Sequence, residues 1–198
     1  MHILHSRVAI FAIAAIALAG CVKQERREAA AFAKALSGAK GSIAAADSIE
    51  KELVENAKGW CAAIAAHGSG RGVELDQNAR VAGTLAQSAV SVSAKISEVR
   101  QAVDGATISD EYPRSVRSTL VNQLTRRQRL LQDIRGLLED AATQFKQYGQ
   151  SRSYAGDTYP DAIAKLDSLL GSYKPPEDAV GAALAALQSK YNFASNEI

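Results

Sequence analysis

Few residues of this 198-residue chain have the types and positions that catalysis, metal binding or covalent modification requires. The cysteines and histidines are Cys21, Cys61, His2, His5 and His67. Among them Cys21 stands out, because it closes the stretch Leu18-Ala19-Gly20-Cys21 directly after an apolar run from Val8 to Ala19. We therefore treat Cys21 as the first candidate site.

The layout of residues 1–21 resembles a bacterial lipoprotein signal peptide, with Arg7 before the apolar run and small residues before Cys21. The run falls short of the ~20 residues that span a bilayer. The resemblance implies that residues 1–20 are removed and that Cys21 carries diacylglycerol on its sulfur and an acyl chain such as palmitate on its amino group. Two or three acyl chains hold a protein stably in a membrane. An ordinary secretory signal or an uncleaved anchor is the alternative.

The residues after Cys21 bear on which membrane would hold the protein. In enteric-type lipoproteins an aspartate at the next position tends to retain the protein in the inner membrane. Here Val22 and Lys23 follow the cysteine. The resemblance thus implies a bacterial cell envelope, and within it the outer membrane, with the protein facing the periplasm.

Once residues 1–20 are removed and Cys21 is acylated, Cys61 is the single remaining thiol and His67 the single histidine. These scarcities argue against an internal disulfide, a Cys/His zinc site, covalent haem and a Glu-x-x-His di-iron site. A catalytic triad would depend on His67, which begins a glycine-rich turn where nothing obvious orients it. We predict no catalytic residues, no metal and no cofactor, and hence no enzyme.

The charge balance bears on the partners of the chain. Lys and Arg number 23 against 21 acidic residues, a formal net charge of +2. Nucleic-acid binding usually requires a clustered positive face. We therefore predict no nucleic-acid partner. The lipoprotein resemblance implies a membrane partner through Cys21, and we predict an envelope protein partner and a monomer or weak homo-oligomer.

Apolar residues recur every three or four positions along most of the chain, which predicts amphipathic helices. The predicted helical stretches are Phe32 to Ile64, Ala82 to Val103, Pro113 to Tyr148, and Tyr159 to Tyr191, the last broken at Pro175-Pro176. Short connections favour an all-α, antiparallel up-down-up-down bundle of four long helical segments. Two nearby glycines predict a break near Gly38 to Gly41. The predicted organisation is a signal peptide at 1–20, a lipid-anchored linker or stalk helix at 21–41, and a helical bundle domain at 42–198.

Three positions inside these helices call for an interpretation. Trp60 fits the apolar face, so we expect a core residue with its indole N–H bonded, and Cys61 beside it is expected to be a small buried hydrophobe. Arg127 or Gln128 interrupts the apolar face of the third helix. Either the bundle holds a polar layer there, or Arg127 lays its stem along the core and extends its head to water. We expect the second, because the neighbouring arginines would repel each other if buried.

The predicted topology brings two loops together at the end far from Cys21. We predict that this distal end presents a partner-binding surface made of His67, Arg71, Arg152, Tyr154 and Tyr159. Tyrosine and arginine are enriched where proteins dock. The first hypothesis is therefore a membrane-anchored binding or assembly module for an envelope protein or the cell wall. The alternative is a carrier of an apolar ligand, such as a lipid, held in a cavity among bulky residues.

Overall fold

A computed structural model describes the backbone of residues 3–151 and 160–193, and the side chains of residues 23–151 and 160–193. These residues form helices and loops without a strand, which confirms the all-α prediction. The helices are α1 (Ile3–His67), α2 (Val73–Asp104), α3 (Glu111–Gln150), α4 (Asp161–Gly171) and α5 (Ala179–Tyr191).

Helix α1 runs without interruption through Gly38 and Gly41, so the predicted break there is wrong. A glycine costs about 1 kcal/mol relative to alanine inside a helix. Here Leu36 and Ile43 are buried on either side of the glycines, and this packing offsets the cost. Phe32 is also fully buried, so the stretch predicted as a linker or stalk contributes to the core.

An aspartate precedes α3 and another precedes α5, but only the second caps its helix with its side chain. Asp178 precedes α5, and its carboxylate accepts a 2.7 Å hydrogen bond from the backbone N–H of Gly181, as expected for an N-cap. Asp110 precedes α3, but its carboxylate accepts a hydrogen bond from the Tyr191 hydroxyl instead of capping the helix. The Asp110 side chain therefore ties the α2–α3 loop to the end of α5.

The helices pack into a bundle around one hydrophobic core. Helix α2 packs against α1 and α3, and α4 and α5 also pack against α1 and α3. The predicted apolar seam of α2 is buried along its whole length: Ala82, Leu85, Ala89, Val92, Ile96, Val99 and Val103. Small and β-branched residues in this seam allow the neighbouring helices to approach closely.

In the part of the chain that the structure describes, no helix has a stretch that is both long enough and apolar enough to cross a bilayer.

Candidate functional site

The predicted partner-binding residues divide into those that the structure describes and those that it does not. His67 is the last residue of α1, and Arg71 lies in the turn that leads to α2; both are exposed. Arg152, Tyr154 and Tyr159 lie outside the described residues. The described part of the predicted surface is thus the tip turn, by which we mean residues 67–73.

Buried polar contacts hold the tip turn against the helices below it. Ser69 is fully buried, and its carbonyl oxygen accepts a 3.1 Å hydrogen bond from the side-chain amide of Asn78. The same Asn78 side chain accepts a 3.1 Å hydrogen bond from the indole N–H of Trp60. One residue of α2 therefore fixes both the turn and the last turns of α1.

Glycine is required at Gly70 for two independent reasons. Its φ angle is +75°, in the region that side chains rarely adopt. A Cβ atom there would also lie 2.6 Å from the Cβ of Glu74. This close approach lets the Glu74 carboxylate accept a 3.0 Å hydrogen bond from the backbone N–H of Arg71. The turn therefore has a defined conformation.

Val73, which sequence reasoning missed, is the most exposed large apolar residue in the described part of the chain. As the first residue of α2 it is 82% exposed, next to Arg71. The spacing of apolar residues could have revealed the exposure of Val73. The buried face of α2 begins at Leu75 and Ala79, and Val73 does not lie on that face. The tip turn thus combines an exposed apolar side chain with exposed basic groups.

Below the tip turn, Trp60 and Cys61 behave as predicted. The Trp60 ring packs against Phe145, with 5.8 Å between ring centroids, and its N–H is bonded to Asn78. Cys61 is fully buried, and burial together with the nearby charge of Asp167 raises the pKa of its thiol to about 11. The thiol is therefore neutral at physiological pH and a poor nucleophile.

A second group of polar side chains lies in the middle of the bundle, around Arg127. It shows that the expectation of a water-exposed Arg127 guanidinium was wrong. Its guanidinium does not extend to water: the side chain is only 9% exposed, and Nε donates a 2.5 Å hydrogen bond to Glu50, whose side chain is 2% exposed. Arg127 Nη2 also lies 2.7 Å from Asp47 Oδ1. The polar-layer alternative was correct, because carboxylates on α1 neutralise the buried arginine.

Tyr173 completes this central charge cluster, which we define as Asp47, Glu50, Arg127 and Tyr173. Its hydroxyl donates a 2.8 Å hydrogen bond to the second carboxylate oxygen of Glu50. Burial, followed by the hydrogen bond to Glu50, raises the pKa of Tyr173 well above its usual value. Tyr173 lies between α4 and α5, so the cluster fastens that connection to α1 and α3.

Gln128, the neighbour of Arg127, extends the polar layer toward α2. Its side-chain nitrogen donates a 2.9 Å hydrogen bond to the Ser97 hydroxyl. Its side-chain oxygen accepts a 2.9 Å hydrogen bond from Arg100. The two polar residues that interrupt the α3 seam thus reach different neighbours, α1 for Arg127 and α2 for Gln128.

Two grooves flank the Pro175-Pro176 segment next to the central charge cluster. One, of about 270 Å³, lies between α1, α3 and the segment; the other, of about 400 Å³, lies between α1 and the segment. Phe32 and Phe145, two of the bulky residues behind the apolar-ligand alternative, are fully buried in the core. The two cavities that the described residues form beside Pro175-Pro176 are therefore grooves at the surface.

The end of the bundle opposite the tip turn is also tightly connected. The carboxylate of Glu28 on α1 accepts hydrogen bonds of 2.6 Å from both the backbone N–H and the hydroxyl of Ser109. These bonds lower the pKa of Glu28. Tyr112 is 37% exposed at this end, and the Lys190 ammonium lies 5.4 Å from its ring centroid. We call this region the Ser109 end.

In the described ranges no group of three or more His, Cys, Asp or Glu residues is placed so that it could hold a metal ion. No protein-family model matches this chain, and no curated protein or solved structure matches it significantly. The function has to be inferred from the chain's own residues.

Proposed function

We propose that this chain is a lipid-anchored module of a bacterial cell envelope that binds a protein partner or the cell wall through its tip turn. The anchor is Cys21, on the strength of the apolar run and the Leu18-Ala19-Gly20-Cys21 stretch. The proposed location is the outer membrane, with the bundle in the periplasm.

The proposed arrangement of the helices is an antiparallel up-down-up-down bundle, with α4 and α5 together as the fourth segment. Contacts at the two ends support this arrangement. Trp60 near the end of α1 contacts Asn78 near the start of α2 and Phe145 near the end of α3. At the other end Glu28 near the start of the described α1 side chains contacts Ser109, between α2 and α3.

The observation that carries the binding proposal is the exposure of Val73 on a turn that is held in one conformation. An exposed apolar side chain gains free energy when a partner covers it. Because Gly70 and Asn78 already order the turn, binding would require little further loss of conformational entropy. Arg71 beside Val73 supplies a group of the kind enriched at binding hot spots.

Site-specific photo-crosslinking in cells tests this proposal. A photoreactive amino acid replaces Val73 in one strain and Gln87, an exposed residue on the side of α2, in a matched control strain. We expect a discrete adduct with one envelope component from position 73 and none from position 87. The adduct should weaken in an Arg71→Ala background. Identical adducts from both positions, or none from position 73, would refute docking through the tip turn.

The anchor is tested separately by metabolic labelling with palmitate. We expect the wild-type protein to be labelled and to float with outer-membrane vesicles, and the Cys21→Ala variant to be unlabelled. Labelling that persists in Cys21→Ala would contradict lipidation at this residue.

A further inference from the structure

We infer that the Ser109 end of the bundle is a membrane-contacting surface, so that the bundle stands upright on the bilayer with Tyr112 and Lys190 at the lipid headgroups. This inference rests on the proposed anchor at Cys21. Beyond the anchor itself, it assigns the surface of the bundle that faces the lipid and the distance between the tip turn and the membrane.

The first step concerns the distance between the anchor and the bundle. Helix α1 includes Cys21 and continues to Glu28, and seven residues of α helix cover only about 10 Å. Glu28 is bound to Ser109 by two hydrogen bonds of 2.6 Å. An acylated Cys21 would therefore hold the Ser109 end about 10 Å from the lipid attachment point, without a flexible linker in between.

The second step concerns the chemistry of the surface that this geometry turns toward the bilayer. Tyrosine, with an apolar ring and a polar hydroxyl, suits the boundary between headgroups and hydrocarbon. Tyr112 is one of the two exposed large apolar residues in the described part of the chain. Its hydroxyl donates a 3.3 Å hydrogen bond to the Ala186 carbonyl, and Lys190 lies at its ring. The ammonium of Lys190 can bind a lipid phosphate while the exposed part of the Tyr112 ring, which also packs against Tyr191, contacts the interface.

Net charge does not supply the attraction, because cations and carboxylates at this end nearly balance. The cations are Lys23, Arg26, Arg27, Arg114, Arg117 and Lys190, and the carboxylates are Glu25, Glu28, Asp104, Asp110 and Glu111. Attachment through Cys21 instead makes weak contacts effective, because the attached surface meets the lipid in an intramolecular step. The Ser109 end therefore needs only a modest intrinsic affinity for lipid.

The same helix sets the height of the tip turn. From Cys21 to His67 the α1 helix covers about 70 Å at 1.5 Å per residue. In the upright orientation Val73 would therefore face a partner about 70 Å from the lipid attachment point. A partner held in the same membrane would have to extend that far to reach it.

Tryptophan quenching by brominated lipids tests the orientation. The lipidated full-length protein is reconstituted in vesicles of phosphatidylethanolamine and phosphatidylglycerol, with or without bromine on the acyl chains near the headgroup. Tyr112→Trp and Lys190→Trp each place a fluorophore at the Ser109 end, and Val73→Trp is the matched control at the tip turn. The native Trp60 is an internal control, because its Cα lies about 60 Å along α1 from Cys21.

We expect brominated lipid to remove most of the emission that residues 112 and 190 add, and to leave the emission of Trp60 and of residue 73 unchanged. Unquenched emission from both 112 and 190 would overturn the contact surface. Quenching of residue 73 would overturn the upright orientation. If the wild-type protein carries no lipid and does not associate with vesicles, the anchor itself is wrong and this inference falls with it. Vesicle flotation and palmitate labelling distinguish that outcome from a failure of orientation alone.

Discussion

Replacing Arg127 with methionine is the sharpest test of the buried charge cluster. The substitution keeps a long apolar stem but removes the guanidinium that lies 2.5 Å from Glu50 and 2.7 Å from Asp47. The Asp47 side chain is 44% exposed, so water reaches part of it, although the Oδ1 atom that faces Arg127 is buried. The Glu50 side chain is 2% exposed and retains only its hydrogen bond from Tyr173. Most of the cost therefore falls on Glu50.

Removing one partner of a buried ion pair typically costs about 3–5 kcal/mol. For a protein of this size each kcal/mol lowers the melting temperature by roughly 2–4 °C, so we expect Arg127→Met to lower it by roughly 6–20 °C. Glu50→Leu combined with Arg127→Met removes both charges and should recover part of this loss, since replacing a buried pair with apolar residues is often neutral. The recovery is incomplete because the Tyr173 hydroxyl loses its acceptor on Glu50. Thermal and urea unfolding followed by circular dichroism measure both effects.

The matched control is Arg129→Met, an exposed position on the same helix. We expect it to change the free energy of unfolding by no more than about 0.5 kcal/mol. If Arg127→Met costs less than about 1 kcal/mol, the pair behaves like an exposed salt bridge. That result, or a double variant no more stable than the single one, would refute the reasoning.

Two further predictions concern the half of the bundle that lies next to the tip turn. Asn78→Ala leaves the Trp60 N–H and the Ser69 carbonyl without their partner, so we expect a loss of about 1–3 kcal/mol in urea unfolding and faster hydrogen exchange in the tip turn; unchanged exchange would contradict the bracing role. Burial raises the pKa of Cys61 from 9.0 to about 11, so its contribution to stability is present below pH 9 and lost as the pH rises toward 11. The free energy of unfolding should therefore fall by about 2–3 kcal/mol more for wild type than for Cys61→Ala between pH 7.5 and 11, and equal pH dependence would contradict this.

The sequence predicted the helices well, because the three-four spacing of apolar residues records which face of each helix is buried. The α2 seam and the burial of Trp60 and Cys61 follow from local signals. The break at Gly38 and Gly41 was wrong for a tertiary reason. The cost of two glycines in a helix is local, but the burial of Leu36 and Ile43 that offsets it depends on other helices.

The tip turn was likewise only partly predictable from the sequence. The glycines at its centre were readable as a turn, and the structure places His67 and Arg71 exposed there. Its order depends on Asn78, nine residues from Ser69 in sequence and on another element. No local pattern identifies Asn78 as the residue that joins Trp60 to Ser69. The ordered conformation of the tip turn, on which the binding proposal rests, could therefore be recognised only in the structure.

The buried pair of Glu50 and Arg127 was, by contrast, readable in principle. In α1 the buried positions 43, 46, 50, 53, 57, 60 and 64 alternate at intervals of three and four. This alternation selects Glu50 and not the neighbouring Ile49 as the seam residue. In α3 the same alternation through 120, 124, 127, 131, 134 and 138 selects Arg127. Each seam therefore has one charged residue at a core position, and the two charges are opposite.

Opposite charges on two otherwise apolar seams constrain how the helices can align. If α1 slipped by one heptad against its neighbours, Glu50 and Arg127 would each face apolar side chains, and a buried charge without a partner costs several kcal/mol. Apolar seams rich in alanine, leucine and isoleucine distinguish such registers poorly, whereas one polar position in a seam can specify register. We infer that the pair contributes more to register than to stability. This inference predicts a large cost for Arg127→Met and a smaller one for the double variant.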